Sequence, residues 1–265
     1  MYPILFEVGG ITVYSYGFFI ALGTIAGVAY MAKQGKKEVG LTFDQANNLF
    51  LVIFIAALVG GKVFLFFEDP GRYVNEPGKL IAGRGFVFYG SFLFAVPAML
   101  IYFRRHKLPA LAMLDVMAIT TCLVHGFGRI GCFLAGCCHG KPTGFFTAVT
   151  FTDEACFADP LNTPLHPTQL YEACFIFLVM IGLMMLRHRR TFHGQLFLLY
   201  LMAYALGRFV IEYFRGDLGR GYIIENVISH SQLIALIILL SVAILYIQKS
   251  RAAIVLEPMK QKSRK

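Results

Sequence analysis

Two arginines stand in apolar runs where lipid-facing helices carry leucine. Arg129 follows Gly128 inside the segment His125–Gly140, and Arg208 follows Gly207. A guanidinium is permanently charged and presents paired N–H donors that match phosphate oxygens. An ionisable group at membrane depth is costly and usually marks a site. Glu212 and Tyr204 lie one helical turn to either side of Arg208, so the three would share a helix face. An ion pair locking two helices would account for these residues structurally, and a phospholipid headgroup site would account for them functionally. The same segment holds Cys132, Cys137, Cys138 and His139. That spacing fits none of the usual zinc patterns, so no metal is expected. Small cysteines pack well between helices, and a thiolate favoured by nearby Arg129 is the other chemistry open to them. The run His166-Pro167-Thr168-Gln169-Leu170-Tyr171-Glu172 is an unusually polar entrance to an apolar stretch, with Pro167 suited to a helix start.

The elements that must position these groups follow from composition. Hydrophobic residues make up 57% of the chain and charged residues 15%, with a mean hydropathy of +0.66. A soluble globular protein is excluded, because such domains carry about a quarter charged residues. The net charge of +9 does not imply nucleic acid, since Lys and Arg fall in short clusters between apolar runs. The expected fold is all-α, a polytopic membrane helix bundle. Scanning about 19 residues at a time gives about seven spans, at 12–32, 46–67, 86–103, 110–134, 168–187, 195–214 and 232–248. Each is near the ~20 residues needed to cross. The third is short and contains Pro97.

Charge orients the spans. Lys33, Lys36 and Lys37, then Arg104, Arg105 and Lys107, then Arg187, Arg189 and Arg190, and finally the basic C-terminus all fall on one side of a seven-span arrangement. The opposite loops carry fewer cations, Arg72, Lys79, Arg84, Lys141, Arg215 and Arg220, mixed with acids such as Asp217 and Glu225. The positive-inside rule puts the N-terminus outside and the C-terminus in the cytoplasm. Met1 to Gly10 contains no Lys or Arg, so no cleavable signal peptide is expected. Residues 1–250 read as one integral-membrane domain, 140–167 as an outer-side loop or cap, and 251–265 as a basic cytoplasmic tail. Gly23-x-x-x-Gly27 and Gly136-x-x-x-Gly140 would allow close helix approach.

Nearly the whole chain resembles the prolipoprotein diacylglyceryl transferase family of the bacterial inner membrane. Tyr16-Gly17 matches the family's early Tyr-Gly, and Gly60-Gly61-Lys62 is similar to its Gly-Gly/Ala-Arg segment. Gly128-Arg129-Ile130-Gly131 and Phe133 match its signature, Gly-Arg-x-Gly-Asn-Phe ending in Glu-x-x-Gly. His166–Glu172 matches its His-Pro-Ser/Thr-Gln-Leu-Tyr-Glu. Tyr204, Gly207-Arg208-Phe209, Glu212 and Phe214-Arg215 match its last block. The resemblance implies transfer of a diacylglyceryl group from phosphatidylglycerol to the lipobox cysteine thiol of a prolipoprotein signal peptide, with glycerol phosphate leaving and no cofactor. Membrane lipids are the other expected partners, and nucleic acid is not. Arg129 and Arg208 would stabilise the phosphate, and Tyr16, Tyr204, Glu212, Gly140 and His166 would complete the phospholipid site. Three positions depart from the family. Tyr89, in Phe88-Tyr89-Gly90-Ser91, stands where the family has its catalytic His-Gly-Gly histidine, Cys132 replaces the signature Asn, and Cys137 replaces the signature Glu. Tyr89 and His139, with His125 as a substitute, are therefore the candidate bases. A diverged member with another lipid donor or acceptor, and a phospholipid-binding protein without activity, are the competing readings.

Overall fold

The computed structural model describes residues 1–82, 86–216, 222–224 and 228–262. In chain order its elements are β1 (Ile4–Val8), β2 (Ile11–Tyr14), α1 (Ser15–Val39), α2 (Phe43–Glu68), the short α3 (Pro70–Asn75) and α4 (Pro77–Ala82), α5 (Phe88–Arg105) and α6 (Ala110–Ala135). There follow β3 (Val149–Thr150), β4 (Pro164–Leu165), α7 (Thr168–Leu186), α8 (Gln195–Ile211), β5 (Tyr222–Ile224), β6 (Ile228–Ser229) and α9 (His230–Lys262). The expected helical architecture is present, with, among the described residues, three short two-stranded ribbons that hydropathy did not indicate. Among the described residues six helices, α1, α2, α6, α7, α8 and α9, are long and apolar enough to cross a membrane. The segment expected as the third span forms α5, which carries Pro97 inside and Arg104 and Arg105 in its last turn. Those two charges dilute its apolar character, and it is not among the six. The 251–265 stretch continues α9 as far as Lys262. Arg84, Asp217, Arg220, Glu225 and residues 263–265 lie outside the described residues.

The chain divides into two compact units, Val28–Met113 and Met1–Gly27 with Leu114–Lys265. In the first of these, Thr42 caps α2: its hydroxyl accepts from the Gln45 N–H at 3.2 Å, and the Gln45 side chain accepts from the Thr42 N–H at 3.0 Å. This reciprocal arrangement satisfies two donors that a helix start leaves bare. α2 and α5 approach so closely that a Cβ on Gly61 would lie 2.7 Å from the Ser91 hydroxyl. The Tyr102 hydroxyl donates to the Gln45 carbonyl at 2.9 Å and ties the same two helices.

In the other unit, Gly9 and Gly10 close the β1–β2 hairpin with φ of 57° and 81°. Consecutive positive φ values suit the type I′ turn that matches strand twist. Gly23 and Gly27 let α1 sit against α6; a Cβ on either would lie 3.2 Å from the Val124 Cα or the Thr120 methyl. Gly23-x-x-x-Gly27 thus works as expected. Gly136-x-x-x-Gly140 does not lie on a helix. α6 stops at Ala135, Gly136 turns left-handed at φ 79°, and the N–H groups of Gly136 and Cys137 donate back to the carbonyls of Phe133 and Cys132. This is the Schellman pattern, which closes the orphan carbonyls of a helix end. At the other end of α6, Asp115 is fully buried. It accepts from the Gly194 N–H at 2.8 Å and the Phe197 N–H at 3.1 Å, with Arg190 at 3.7 Å, and so caps the start of α8. Between α6 and α7, Phe151, Cys156, Ala158 and Leu165 form a small core with Phe133 and Leu161 against it.

Candidate functional site

His125 and Arg129 sit one turn apart on α6, and Glu172 lies near the start of α7. The Glu172 side chain is 3% exposed, with one carboxylate oxygen 2.9 Å from His125 Nε2 and 3.0 Å from an Arg129 Nη. Arg129 Nε–H points at the same imidazole nitrogen at 3.3 Å, a contact that needs its lone pair, whereas the carboxylate at 2.9 Å needs its proton. The shorter contact, to an ionised oxygen, decides the tautomer, and His125 Nε2–H donates to Glu172. His125 Nδ1 then keeps its lone pair, and no residue hydrogen-bonds to it among the described residues. A histidine oriented by a carboxylate, with its other nitrogen open, is the arrangement of a general base.

α8 brings the second arginine. Arg208 donates to Glu212 at 2.5 Å and faces the Ser231 hydroxyl of α9 at 3.5 Å. Glu172 feels the charge of Arg208 as well as that of Arg129. Tyr204 lies within electrostatic range of Arg129, Arg208, Arg215 and Glu172. Its ring also stands edge-on to His125, with centroids 5.5 Å apart. The predicted Arg129, Arg208, Tyr204 and Glu212 therefore converge. Each arginine has a carboxylate partner and some remaining exposure, 18% for Arg129 and 13% for Arg208. Tyr16, at the start of α1, joins from a third helix: an added Cβ on Gly131 would lie 3.1 Å from its Cα.

Gly140 and His166 hold this cluster through backbone. The Gly140 N–H donates to the His166 carbonyl at 2.8 Å, His166 N–H to the Lys141 carbonyl at 3.0 Å, and Lys141 N–H to the Phe214 carbonyl at 2.9 Å. A side chain at Gly140 has no room, since its Cβ would lie 2.6 Å from the His166 Cβ. The His166 ring meets the Tyr171 hydroxyl at 3.2 Å, and that hydroxyl pairs with Thr147. Beside them, an apolar cavity of about 510 Å³ is lined by Phe145, Tyr171, Phe175, Gly207, Val210 and Phe214, among others.

Of the two predicted bases, His139 belongs to the unit that holds this cluster. His139 donates from Nδ1 to the Gly140 carbonyl at 3.0 Å and accepts the Asp159 N–H on Nε2 at 3.2 Å. Both nitrogens are engaged, so the ring is a clasp on the 140–167 segment and has no lone pair for a proton. Tyr89 belongs to the Val28–Met113 unit, is 63% exposed and stands edge-on to Phe88. No hydrogen bond reaches its hydroxyl among the described residues.

The turn at Gly136 folds Cys137 and Cys138 back over the last turn of α6, where Cys132 sits. The three sulfurs lie within 4.8 Å of one another. Cys138 is itself left-handed, at φ 63°. The Gln169 amide donates to the Cys137 carbonyl at 2.7 Å, and the Thr168 hydroxyl to the Cys138 carbonyl at 2.8 Å. The Cys137 thiol donates to the Cys132 carbonyl at 3.7 Å. The neighbouring Cys132 and Cys137 sulfurs and the Arg215 guanidinium hold the Cys138 thiol below its ordinary range. Sharing the other two sulfurs pushes Cys137 up, and burial pushes up the more distant Cys156. Sequence spacing alone did not indicate this convergence, because the left-handed turn that produces it is not periodic. Glu172, Gln169 and Arg215 join the site although they are not among the site residues expected from the sequence. All three lie inside the family's motifs, and Arg215, only 5% exposed, follows an apolar run just as an ordinary loop cation does.

Residues 3–248 match the family model described as "Prolipoprotein diacylglyceryl transferase". A Clostridium tetani protein named phosphatidylglycerol–prolipoprotein diacylglyceryl transferase is 39% identical over 237 residues, covering 89% of this chain and 93% of its own. One from Clostridium perfringens, carrying the same name with the number 2, is 31% identical over 92% of this chain and 93% of its own. A Dehalococcoides mccartyi protein of the same name is 28% identical, with 94% of each covered.

Proposed function

We propose a division of labour from one premise: the chain belongs to the prolipoprotein diacylglyceryl transferase family. It is a multi-pass membrane enzyme that moves diacylglyceryl from phosphatidylglycerol to prolipoprotein. Arg129 and Arg208 hold the phosphate, and Tyr16, Tyr204 and Glu212 shape its pocket. His125, oriented by Glu172, takes the proton of the lipobox cysteine. The thiolate attacks the terminal glycerol carbon of the diacylglyceryl group. The C–O bond to phosphate breaks, and glycerol phosphate leaves with the electron pair. Charge builds on phosphate oxygens as that bond breaks, and preorganised guanidiniums stabilise it most in the transition state. The apolar cavity beside Gly207 takes acyl chain, which lets the lipid enter from the side. Gly140, His166 and His139 hold the frame. Tyr89 occupies the family's histidine position without sharing its role.

The carrying observation is that Arg129 meets a buried carboxylate beside a histidine with an open nitrogen, and that Tyr204, one turn from Arg208 on α8, stands edge-on to that histidine. Topology follows from the basic clusters. Seven spans, counting α5, put the N-terminus outside and the C-terminus in the cytoplasm of the bacterial inner membrane. Residues 1–250 act as one transferase domain, with 140–167 as an outer cap and 251–265 as a basic tail. No nucleic acid takes part.

The test uses the full chain in nanodiscs containing phosphatidylglycerol labelled in its diacylglyceryl group, with a lipobox peptide. Label moves to the peptide cysteine, and Arg208→Ala abolishes transfer while keeping a folded elution profile. Near-normal turnover in that variant refutes the phosphate role.

A further inference from the structure

We propose that Cys132, Cys137 and Cys138 bind a zinc ion whose fourth position receives the acceptor thiol, an inference that rests on the transferase reading above. Three observations carry it. The sulfurs lie within 4.8 Å of one another. A tetrahedral zinc with Zn–S bonds of about 2.3 Å needs sulfurs about 3.8 Å apart, so a contraction of about 1 Å on the widest edge suffices. The backbone is preset for this grouping: Cys138 is held left-handed at φ 63°, a conformation that is unfavourable for a non-glycine residue and clusters at functional sites. The Gln169 and Thr168 side chains anchor the carbonyls of Cys137 and Cys138 to α7. Finally, the Gln169 side-chain oxygen is buried without a hydrogen-bond partner among the described residues, which leaves an acceptor for a donor that arrives with a ligand.

Charge favours this metal. Three thiolates on Zn²⁺ leave one net negative charge. Arg215 and Arg129 lie within electrostatic range of Cys138, and Arg129 of Cys132 as well, so the complex is neutralised where it forms. Three protein ligands with an open position are the pattern of a reactive zinc site. His139 does not supply a fourth ligand, because both its nitrogens are engaged.

The chemistry balances. A peptide thiol binds zinc and gives its proton to His125 Nδ1. The zinc-bound sulfur then attacks the diacylglyceryl carbon as the C–O bond breaks, and the phosphate leaves with the electron pair. The product is a thioether, a weaker zinc ligand than a thiolate, and it dissociates. The site thus does for the acceptor sulfur what coordination does for other activated nucleophiles.

The full chain, purified reduced in nanodiscs, is loaded with Zn²⁺ or Co²⁺, desalted and analysed for metal. About one equivalent is expected, falling below about a tenth of one in Cys138→Ser and Cys132→Ser, with Cys174→Ser unchanged. The cobalt form of the unsubstituted protein needs no variant to fold. It should show sulfur-to-cobalt charge-transfer absorption that shifts on adding lipobox peptide and not its serine analogue. Failure of the reduced protein to bind metal, metal content indifferent to Cys132 and Cys138, a cobalt spectrum that ignores the peptide thiol, or a disulfide among the three that persists under reduction overturns the proposal. Transfer that proceeds fully with no metal bound overturns it and leaves the transferase reading standing. A cobalt spectrum that responds to peptide, with no transfer from phosphatidylglycerol, overturns the transferase reading and leaves the metal site standing.

Discussion

Glu172→Gln isolates the role of one buried carboxylate. Glu172 accepts from His125 at 2.9 Å and from Arg129 at 3.0 Å. At an effective dielectric of about 20, the Arg129 contact alone is about 5.5 kcal/mol of Coulomb attraction, offset by desolvation of both ions. Breaking such a pair from one side costs about 3–5 kcal/mol of stability. Glutamine keeps the shape, and since one carboxylate oxygen meets both partners, its carbonyl oxygen can still accept from His125 and Arg129. What it loses is the negative charge that stabilises the imidazolium formed when His125 Nδ1 takes the thiol proton. Loss of base catalysis lowers kcat/KM by about 10²–10⁴-fold, and His125→Ala should lose a similar amount. Because the two residues act as one unit, the double variant should be no worse than the worse single one. The assay is label transfer from phosphatidylglycerol to a lipobox peptide in nanodiscs, with thermal unfolding followed in parallel to confirm folded protein. Glu172→Gln keeping more than about half of normal turnover, or a double variant whose loss is the product of the two singles, refutes the dyad.

Three further substitutions separate framework from chemistry. Gly140→Ala forces a Cβ against His166 and the Phe214 carbonyl; we expect about 1–3 kcal/mol of destabilisation, read as a lower Tm, together with lost transfer. Asp115→Ala removes the acceptor of the Gly194 and Phe197 N–H groups and should cost about 3–5 kcal/mol. Protein that remains folded should keep its kcat/KM, and a selective loss of activity would contradict a purely capping role. Val210→Phe fills part of the 510 Å³ cavity and should raise KM about tenfold for long-chain phosphatidylglycerol, about 1.4 kcal/mol. A short-chain analogue should be affected less, and equal effects on both would remove the cavity from the lipid site.

Periodicity and charge made the helices legible, and out-of-place polar residues made Arg129, Arg208, Tyr204 and Glu212 legible. Each of these signals is local: a guanidinium in an apolar run is visible without knowing its neighbours. What stayed hidden depends on pairing at long sequence distance. His125 finds Glu172 across 47 residues, and nothing in either segment alone names the other. His139 looked like a base because its type permits that role, and the Asp159 amide that occupies it belongs to a loop with no periodic pattern. Spacing along the sequence describes the cysteines on a straight helix, whereas Gly136 reverses the chain between them.

The Arg129–Glu172 pair also has a consequence for how the protein is made. Its two charges sit on consecutive apolar helices, α6 and α7. During synthesis α6 reaches the bilayer first, carrying a cation whose insertion costs at most the roughly 2.5–3.5 kcal/mol of an arginine at the membrane centre, while its counter-ion is still in the ribosome. α7 brings the anion. The two helices therefore enter lipid most cheaply as a hairpin, and the 140–167 segment sets how long α6 must wait beside the insertion machinery.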